Sequence, residues 1–367
     1  MNIVISGSRV QVYGDEVQTY RQLPVGNYEV IFNMMQGFYL VKSQELEVKE
    51  TKIYGNTVAK VAKCLDGFSN VDRNFGVILS GAKGAGKSLF TRVLARSCID
   101  RGLPVIKVTS ADPGIAQFIS SIEQECCVIF DEFDKVFFSK SDEVGPQSEL
   151  LSLFDGMDNG KKLFIITCNS LQRLSNYLLD RPGRFHYHFT FGSPDVADIE
   201  AYLRDKLTPE AYAANAERLM FYASLVDITY DYLRAICFEL NRGYSLEDTL
   251  ADLNIAKDSD ADFDITATVM VNGVERTFTA HGMDLKFRQG MEWDGMRLWS
   301  DSYCLRLYMN PDCVTYSDGG IKVDMTRINS DTYVWDNKRD EAIENFKIID
   351  IKITKSSFRR ARQLLAI

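Results

Sequence analysis

Gly81, Gly86, Lys87 and Ser88 stand in a G-x-x-x-x-G-K-S spacing, a set of residue types suited to holding a polyphosphate. In the stretch Gly81, Ala82, Lys83, Gly84, Ala85, Gly86, the glycines let backbone N–H groups close on phosphate oxygens with no Cβ in the way. Lys87 reaches the terminal phosphates, the Ser88 hydroxyl can ligate the Mg²⁺ that accompanies them, and the binding stretch runs on to Leu89. A second set follows the apolar run Cys126–Cys127–Val128–Ile129–Phe130, which ends in Asp131–Glu132. Asp131 is placed to hold the Mg²⁺ hydration shell. Glu132 can orient and deprotonate a water for attack on a γ-phosphate.

Further polar residues fall where they could join this chemistry. Asn169 follows the run Leu163 to Thr167 and could bond the attacking water or the γ-phosphate, or serve as a turn residue or helix cap. Arg181 and Arg184 flank Pro182–Gly183. They read as a rigid, exposed pair, suited to bidentate phosphate recognition or to a surface salt bridge. Tyr54 and Gly55 either flank a nucleotide base or are an ordinary core tyrosine and turn glycine. Arg234 either reaches a bound nucleotide or faces solvent. His186 and His188 alternate with Phe185, Tyr187 and Phe189, and strand alternation accounts for them without a metal.

These residues need particular elements to position them. Val77–Ile78–Leu79 suits a strand buried on both faces. Phe90, Val93, Leu94 and Cys98 recur at helical spacing, so a helix follows the glycine loop and offers it a positive dipole end. Strand, loop and helix are the context that a phosphate site requires. Leu103 to Val108 is a further strand, and Asp112–Pro113 starts a helix with Pro113 in its first turn. Tyr28 to Phe32 and Phe38 to Val41 are strands of a β module over 1–52. The nucleotide-binding α/β region spans 53–193. Residues 194–256 are helical, with stripes such as Ile199, Tyr202, Leu203 and Leu207. Residues 257–367 open with an acidic stretch read as a linker and return to strands. There Asn272–Gly273 signals a hairpin, and Lys352, Lys355, Arg359, Arg360 and Arg362 form a basic tail.

The 367 residues are 46% hydrophobic and 25% charged, ordinary values for a soluble globular chain. No apolar run approaches the ~18 residues a membrane helix needs, and the first ten residues do not resemble a secretory signal. A cytoplasmic setting with no membrane partner is expected. The eight cysteines include no C-x-x-C, which suits buried thiols in a reducing compartment. The net charge of −9 excludes a globally basic nucleic-acid coat but not a local basic patch.

Taken together, GAKGAGKS, VIFDEFD (128–134), TCNS (167–170) and DRPGRF (180–185) resemble the Walker A, Walker B, sensor 1 and paired-arginine motifs of the AAA+ ATPase family. The resemblance covers about 53–254. It implies an α/β P-loop core with a parallel 5-1-4-3-2 sheet, a helical lid, ATP and Mg²⁺, and a ring or spiral, a hexamer by family habit. Arg181 and Arg184 would act on a neighbouring subunit's γ-phosphate, Arg234 would be sensor 2, and Ile53 to Asn56 would meet the adenine. One departure concerns Phe118–Ile119–Ser120, which lacks the glycine of substrate-threading loops. Phe137–Phe138 is another expected central-channel contact. A single ATPase module between β regions is phage-like, which would make the setting a host cytoplasm. The leading expectation is a Mg²⁺-dependent ATPase that remodels a protein partner recruited by its terminal β regions. A second is an ATPase acting on a nucleic-acid complex through the basic tail. A third is a nucleotide-gated scaffold with little turnover, against which Glu132 speaks.

Overall fold

The computed structural model describes residues 2–6, 9–44, 46–48, 50–138, 146–155, 160–179, 184–253, 262–285, 293–317 and 320–356. Two compact units emerge, one of residues 1–82 and 87–191, the other of residues 83–86 and 192–367.

The first unit runs through β1 (Asn2–Ser6), β2 (Arg9–Tyr13), β3 (Asn27–Asn33), β4 (Gly37–Lys42), α1 (Thr57–Ser69), β5 (Phe75–Gly81), α2 (Lys87–Asp100) and β6 (Val105–Val108). It continues with α3 (Ile115–Ser120), β7 (Cys126–Phe130), α4 (Phe133–Val136), α5 (Pro146–Glu149), α6 (Leu151–Asp155), β8 (Lys162–Cys168), α7 (Asn176–Leu179) and β9 (Tyr187–Phe191). β1 and β2 form a hairpin of their own, and the other seven strands make one sheet in the order β4-β3-β6-β7-β8-β5-β9. All neighbours in it are parallel except β3 and β4. Its five strands from β9 to β6 carry the expected 5-1-4-3-2 order.

The apolar runs explain why β5, β7 and β8 are central. With no polar face, they must be covered on both sides. Val77, Leu79, Cys127, Ile129, Leu163 and Ile165 pack toward α1 and α2. Ile78, Val128, Phe130, Phe164 and Ile166 pack on the opposite face with residues of α3, α4 and α6. Phe130 is fully buried there. It meets Phe133, Phe137, Phe154 and Phe164 at centroid distances of 5.6–6.3 Å.

Three expectations meet a different arrangement here. The strands of the N-terminal region are present, but β3 pairs parallel with β6, Asn27 opposite Val105, so they widen the core sheet. A short β6 with an open ladder needs a partner, and Tyr28 and Val30 bring buried side chains to that edge. The helix expected from Asp112–Pro113 begins only at Ile115, because Gly114 takes a left-handed conformation at its N-cap and breaks the run. Phe137 is no channel contact: it is fully buried and stacks on Phe133 at 4.7 Å, leaving Phe138 partly exposed beside Arg173.

The second unit begins with α8 (Val196–Lys206), α9 (Pro209–Leu225), α10 (Tyr230–Leu240) and α11 (Leu246–Asp252). Nine strands follow: β10 (Asp262–Val271), β11 (Val274–Asp284), β12 (Trp293–Ser300), β13 (Tyr303–Met309), β14 (Val314–Ser317), β15 (Gly320–Val323), β16 (Tyr333–Asp336), β17 (Glu341–Ile343) and β18 (Phe346–Lys355). They form one antiparallel sheet, β14-β15-β18-β10-β11-β12-β13-β16-β17. Strict alternation buries Phe263, Ile265, Ala267, Val269 and Val271 of β10 on one face. Phe221, Tyr222 and Val226, in and just after α9, join that core. Lys352 and Lys355 belong to β18 and not to a free tail; the Lys355 ammonium donates to Ala223 O at 3.2 Å and Val226 O at 2.7 Å. Arg359, Arg360 and Arg362, and the linker residues 257–261, lie outside the described residues. No helix among the described residues is long and apolar enough to cross a membrane.

Truncating the ring at the centre of the aromatic cluster leaves a cavity that four fixed rings cannot close. Phe130→Ala should therefore destabilise the first unit by about 3–5 kcal/mol, read as a lower midpoint in denaturant unfolding followed by a probe in that unit.

Candidate functional site

Register brings the predicted residues to one edge. β7, β8 and β5 are consecutive neighbours, with Phe130 opposite Ile166 and Ser80 opposite Cys168. Asp131, Asn169 and the glycine loop therefore leave three adjacent strands at the same level, the crevice in which open parallel sheets place ligands.

The loop has the backbone a phosphate cradle needs. Gly81 has φ +139°, and a Cβ there would lie 1.9 Å from Phe191 O; only glycine fits. Within the second unit, Gly84 has φ +75°, and a Cβ would meet Asp231 Oδ2 at 2.7 Å. Lys83 is exposed and Ala85 buried. The Lys87 ammonium folds back over the loop, donating to the carbonyls of Gly81 and Ala82, the latter at 2.8 Å, and to Asn169 Oδ1 at 3.0 Å. Burial pulls Lys87 below its ordinary pKa, while the charges of Asp134 and Glu132 work the other way. Ser88 is exposed in the first turn of α2, with Leu89 half-buried behind it.

The Asp131 carboxylate and the Glu132 backbone are tied together by a residue that the motif reading left without a role. The Thr167 hydroxyl donates to Asp131 Oδ1 at 2.8 Å and accepts from the Glu132 N–H at 2.9 Å. Lys107 of β6 holds the other oxygen, Asp131 Oδ2, at 2.9 Å. Burial alone would raise the Asp131 pKa, but bonds from Lys107 and Thr167 outweigh it and hold the carboxyl below its usual range. Glu132 adopts φ +49°, ψ +42°, a left-handed conformation uncommon outside glycine, and its carboxylate is paired with Lys135. Asp134, almost fully buried, accepts from the Ser170 N–H at 3.3 Å and so steadies the loop carrying Asn169. An acid two residues after Glu132 was the available sequence signal for it. Lys107 had none, because its role depends on the β6–β7 pairing.

The arginines depart from expectation. Arg184 is not exposed: its side chain is 5% accessible. The guanidinium is gripped bidentately by Asp155, with Arg184 Nη2 donating to Oδ2 at 2.6 Å, and it also donates to Tyr177 O. A guanidinium beside a carboxylate of matching geometry is held in place and desolvated. Arg181 lies outside the described residues. Arg234, in the second unit, is 73% exposed and pairs with Asp231 at 3.2 Å. Tyr54 is half-buried with the Lys52 ammonium 5.1 Å above its ring, and Gly55 is exposed just before α1. His188 of β9 faces Ser80 of β5, with Nε2 2.9 Å from the hydroxyl.

The donor set fits Mg²⁺ and a nucleotide: an exposed serine hydroxyl, an ionised aspartate, an ammonium lodged in a glycine loop, and backbone that tolerates no Cβ. The Arg184 arrangement makes a separate demand. Asp155→Ala would leave a buried guanidinium without its counter-ion, which costs about 3–5 kcal/mol. The expected result is a lower thermal midpoint for that variant and for Arg184→Ala, measured before any loss of turnover is assigned to catalysis.

Residues 77–193 match the family model described as the ATPase family associated with various cellular activities (AAA). The chain is 31% identical over 147 residues to the ATPase histone chaperone YTA7 of Saccharomyces cerevisiae, an alignment covering 35% of this chain and 11% of that protein. It is 25% identical over 244 residues to the human ATPase family AAA domain-containing protein 2, covering 57% and 17%. It is also 25% identical over 223 residues to the ATP-dependent zinc metalloprotease FtsH of Ralstonia pickettii, covering 54% and 29%. The chain thus spans less than a third of each of these relatives. The matched segment is the stretch from β5 to just past β9, the strands that carry the loop, the paired carboxylates and Asn169, so this segment is a domain of that ATPase family.

Proposed function

We infer that the protein hydrolyses ATP and uses the cycle to act on a protein partner. The observation that carries this reading is the Lys87 ammonium, bonded at once to the phosphate-loop carbonyls and to Asn169 at the strand ends beside Asp131 and Glu132. When a polyphosphate enters, its oxygens replace those carbonyls as partners for Lys87, and the loop N–H groups take the remaining charge. Ser88 and Asp131 would hold Mg²⁺, which would neutralise phosphate charge. Asp131 arrives ionised because Lys107 and Thr167 hold it so. Glu132 releases Lys135, accepts the proton of the attacking water, and is aimed by its left-handed backbone and by the N–H bond to Thr167. Asn169 orients that water or the γ-phosphate.

Tyr54 and Gly55 would flank the adenine, and Arg234 would leave Asp231 to meet phosphate. The ring or spiral, with six subunits, belongs to the same reading, and in it Arg181 is the arginine offered to a neighbour. Arg184, anchored to Asp155, then serves the fold and not the neighbour's phosphate. Relatives named as histone chaperones support work on a protein assembly.

Lys87→Ala should abolish ATP binding, checked by calorimetric titration; wild-type affinity would refute the site. Glu132→Gln should bind ATP normally and lose turnover by at least the 10²–10⁴-fold typical of a general base. Unchanged phosphate release would show that Glu132 is not the base.

A further inference from the structure

The outer face of the nine-stranded sheet carries a composition unlike the rest of this acidic chain. Its register is fixed by two strand pairings. On β12 and β13, Trp299 lies opposite Cys304 and Arg297 opposite Arg306. On β13 and β16, Cys304 lies opposite Trp335 and Arg306 opposite Tyr333. The alternate positions, Leu298, Leu305 and Val334, are buried in the core, so these six side chains share the face turned away from it.

Two rows result. In one, Trp299 and Trp335 flank the small, buried Cys304, with the two indoles two strands or about 10 Å apart. In the other, about 7 Å along the strands, Arg297 and Arg306 stand side by side next to Tyr333. Trp299 is 49% exposed, Arg297 is exposed, and Trp335, Arg306 and Tyr333 are half-buried. Tyr333 and Trp335 meet edge to face at 6.4 Å.

Neither structural economy nor solubility accounts for this face. Like charges directly opposite on adjacent strands are destabilising, yet among the described residues neither Arg297 nor Arg306 has a carboxylate within ion-pair distance. The chain has nine more acids than bases, Asp and Glu 51 against Lys and Arg 42, so acidic partners are not scarce. An anion seated between the guanidinium groups would remove the repulsion. An anion alone would not need the tryptophans, and a sugar face would not need two uncompensated arginines. A ligand that alternates flat π-faces with phosphates uses both rows.

We propose that this face, built by Trp299, Trp335, Tyr333, Arg297 and Arg306, binds single-stranded nucleic acid, bases stacking on the aromatic rings while the arginine pair clamps the backbone. This is a contact distinct from the phosphate loop and from the basic residues beyond 356. Each stacked base is worth about 1–3 kcal/mol in such platforms, about 5–150-fold in affinity.

The test uses the full chain and a fluorescein-labelled fifteen-nucleotide oligo(dT), followed by anisotropy across a salt series starting near ~50 mM. Binding is expected, with tryptophan fluorescence quenched. Trp299→Ala should weaken it about 5–150-fold. The double variant Arg297→Gln/Arg306→Gln should lower the slope of log affinity against log salt by about 1.4, at about 0.7 per phosphate contact. Lys87→Ala should bind the oligonucleotide as wild type does, which separates this site from the ATPase reading. Both face variants should keep the wild-type circular dichroism and ATP turnover. The proposal is overturned if wild type does not bind at low salt, or if both face variants bind as wild type does. It is equally overturned if only neutralising Arg359, Arg360 and Arg362 removes binding, or if a polyglutamate peptide displaces the oligonucleotide at equal concentration.

Discussion

A parallel sheet sends the ends of all its strands to one edge, and here the three strands that matter are immediate neighbours. β8 lies between β7 and β5, so the glycine loop and the Asp131–Glu132 pair both border the strand ending in Thr167 and Cys168. That adjacency lets one hydroxyl, Thr167 Oγ1, touch both Asp131 and the Glu132 backbone, and it lets Lys87 span from the loop to Asn169. A slip of one residue between β7 and β8 would turn Thr167 to the opposite face of the sheet and break both of its bonds. The two hydrophobic cores, one on each face, fix that register by packing the apolar residues of β5, β7 and β8 alternately to the two sides.

What could be read from the chain alone follows the range of the interactions involved. The phosphate loop was legible because its chemistry is local: glycines, lysine and serine within eight positions. Asp131 and Glu132 were legible because a short run of five apolar residues suits an interior strand, and its end is then known. Lys107 was not, since nothing near it in sequence tells that β6 lies beside β7. Arg184 misled for the same reason. A guanidinium next to a Pro–Gly turn reads as exposed, whereas its carboxylate partner lies 29 residues upstream at Asp155. The strands of the N-terminal region were likewise visible as strands, but a parallel partner remote in sequence decides which sheet they join.

The C-terminal sheet repeats the lesson with a different outcome. Alternation marked β10 and β11 and the Asn272–Gly273 turn between them, where both residues take positive φ as the hairpin requires. Alternation says which residues share a face of one strand. It does not say which strands lie side by side, and so the two tryptophans and the facing arginines become a single surface only once β12, β13 and β16 are aligned.

The Lys355 ammonium, seated on the carbonyls of Ala223 and Val226, neutralises the negative end of α9 while rooted in the last strand of the sheet. α9 also packs directly on β14, β15 and β18. Helix and sheet thus share one rivet and one core, so the helix cannot shift along the sheet without breaking those bonds and opening that core. That shared seat lies toward the β14 end of the strand order, at the opposite end from β16 and β17.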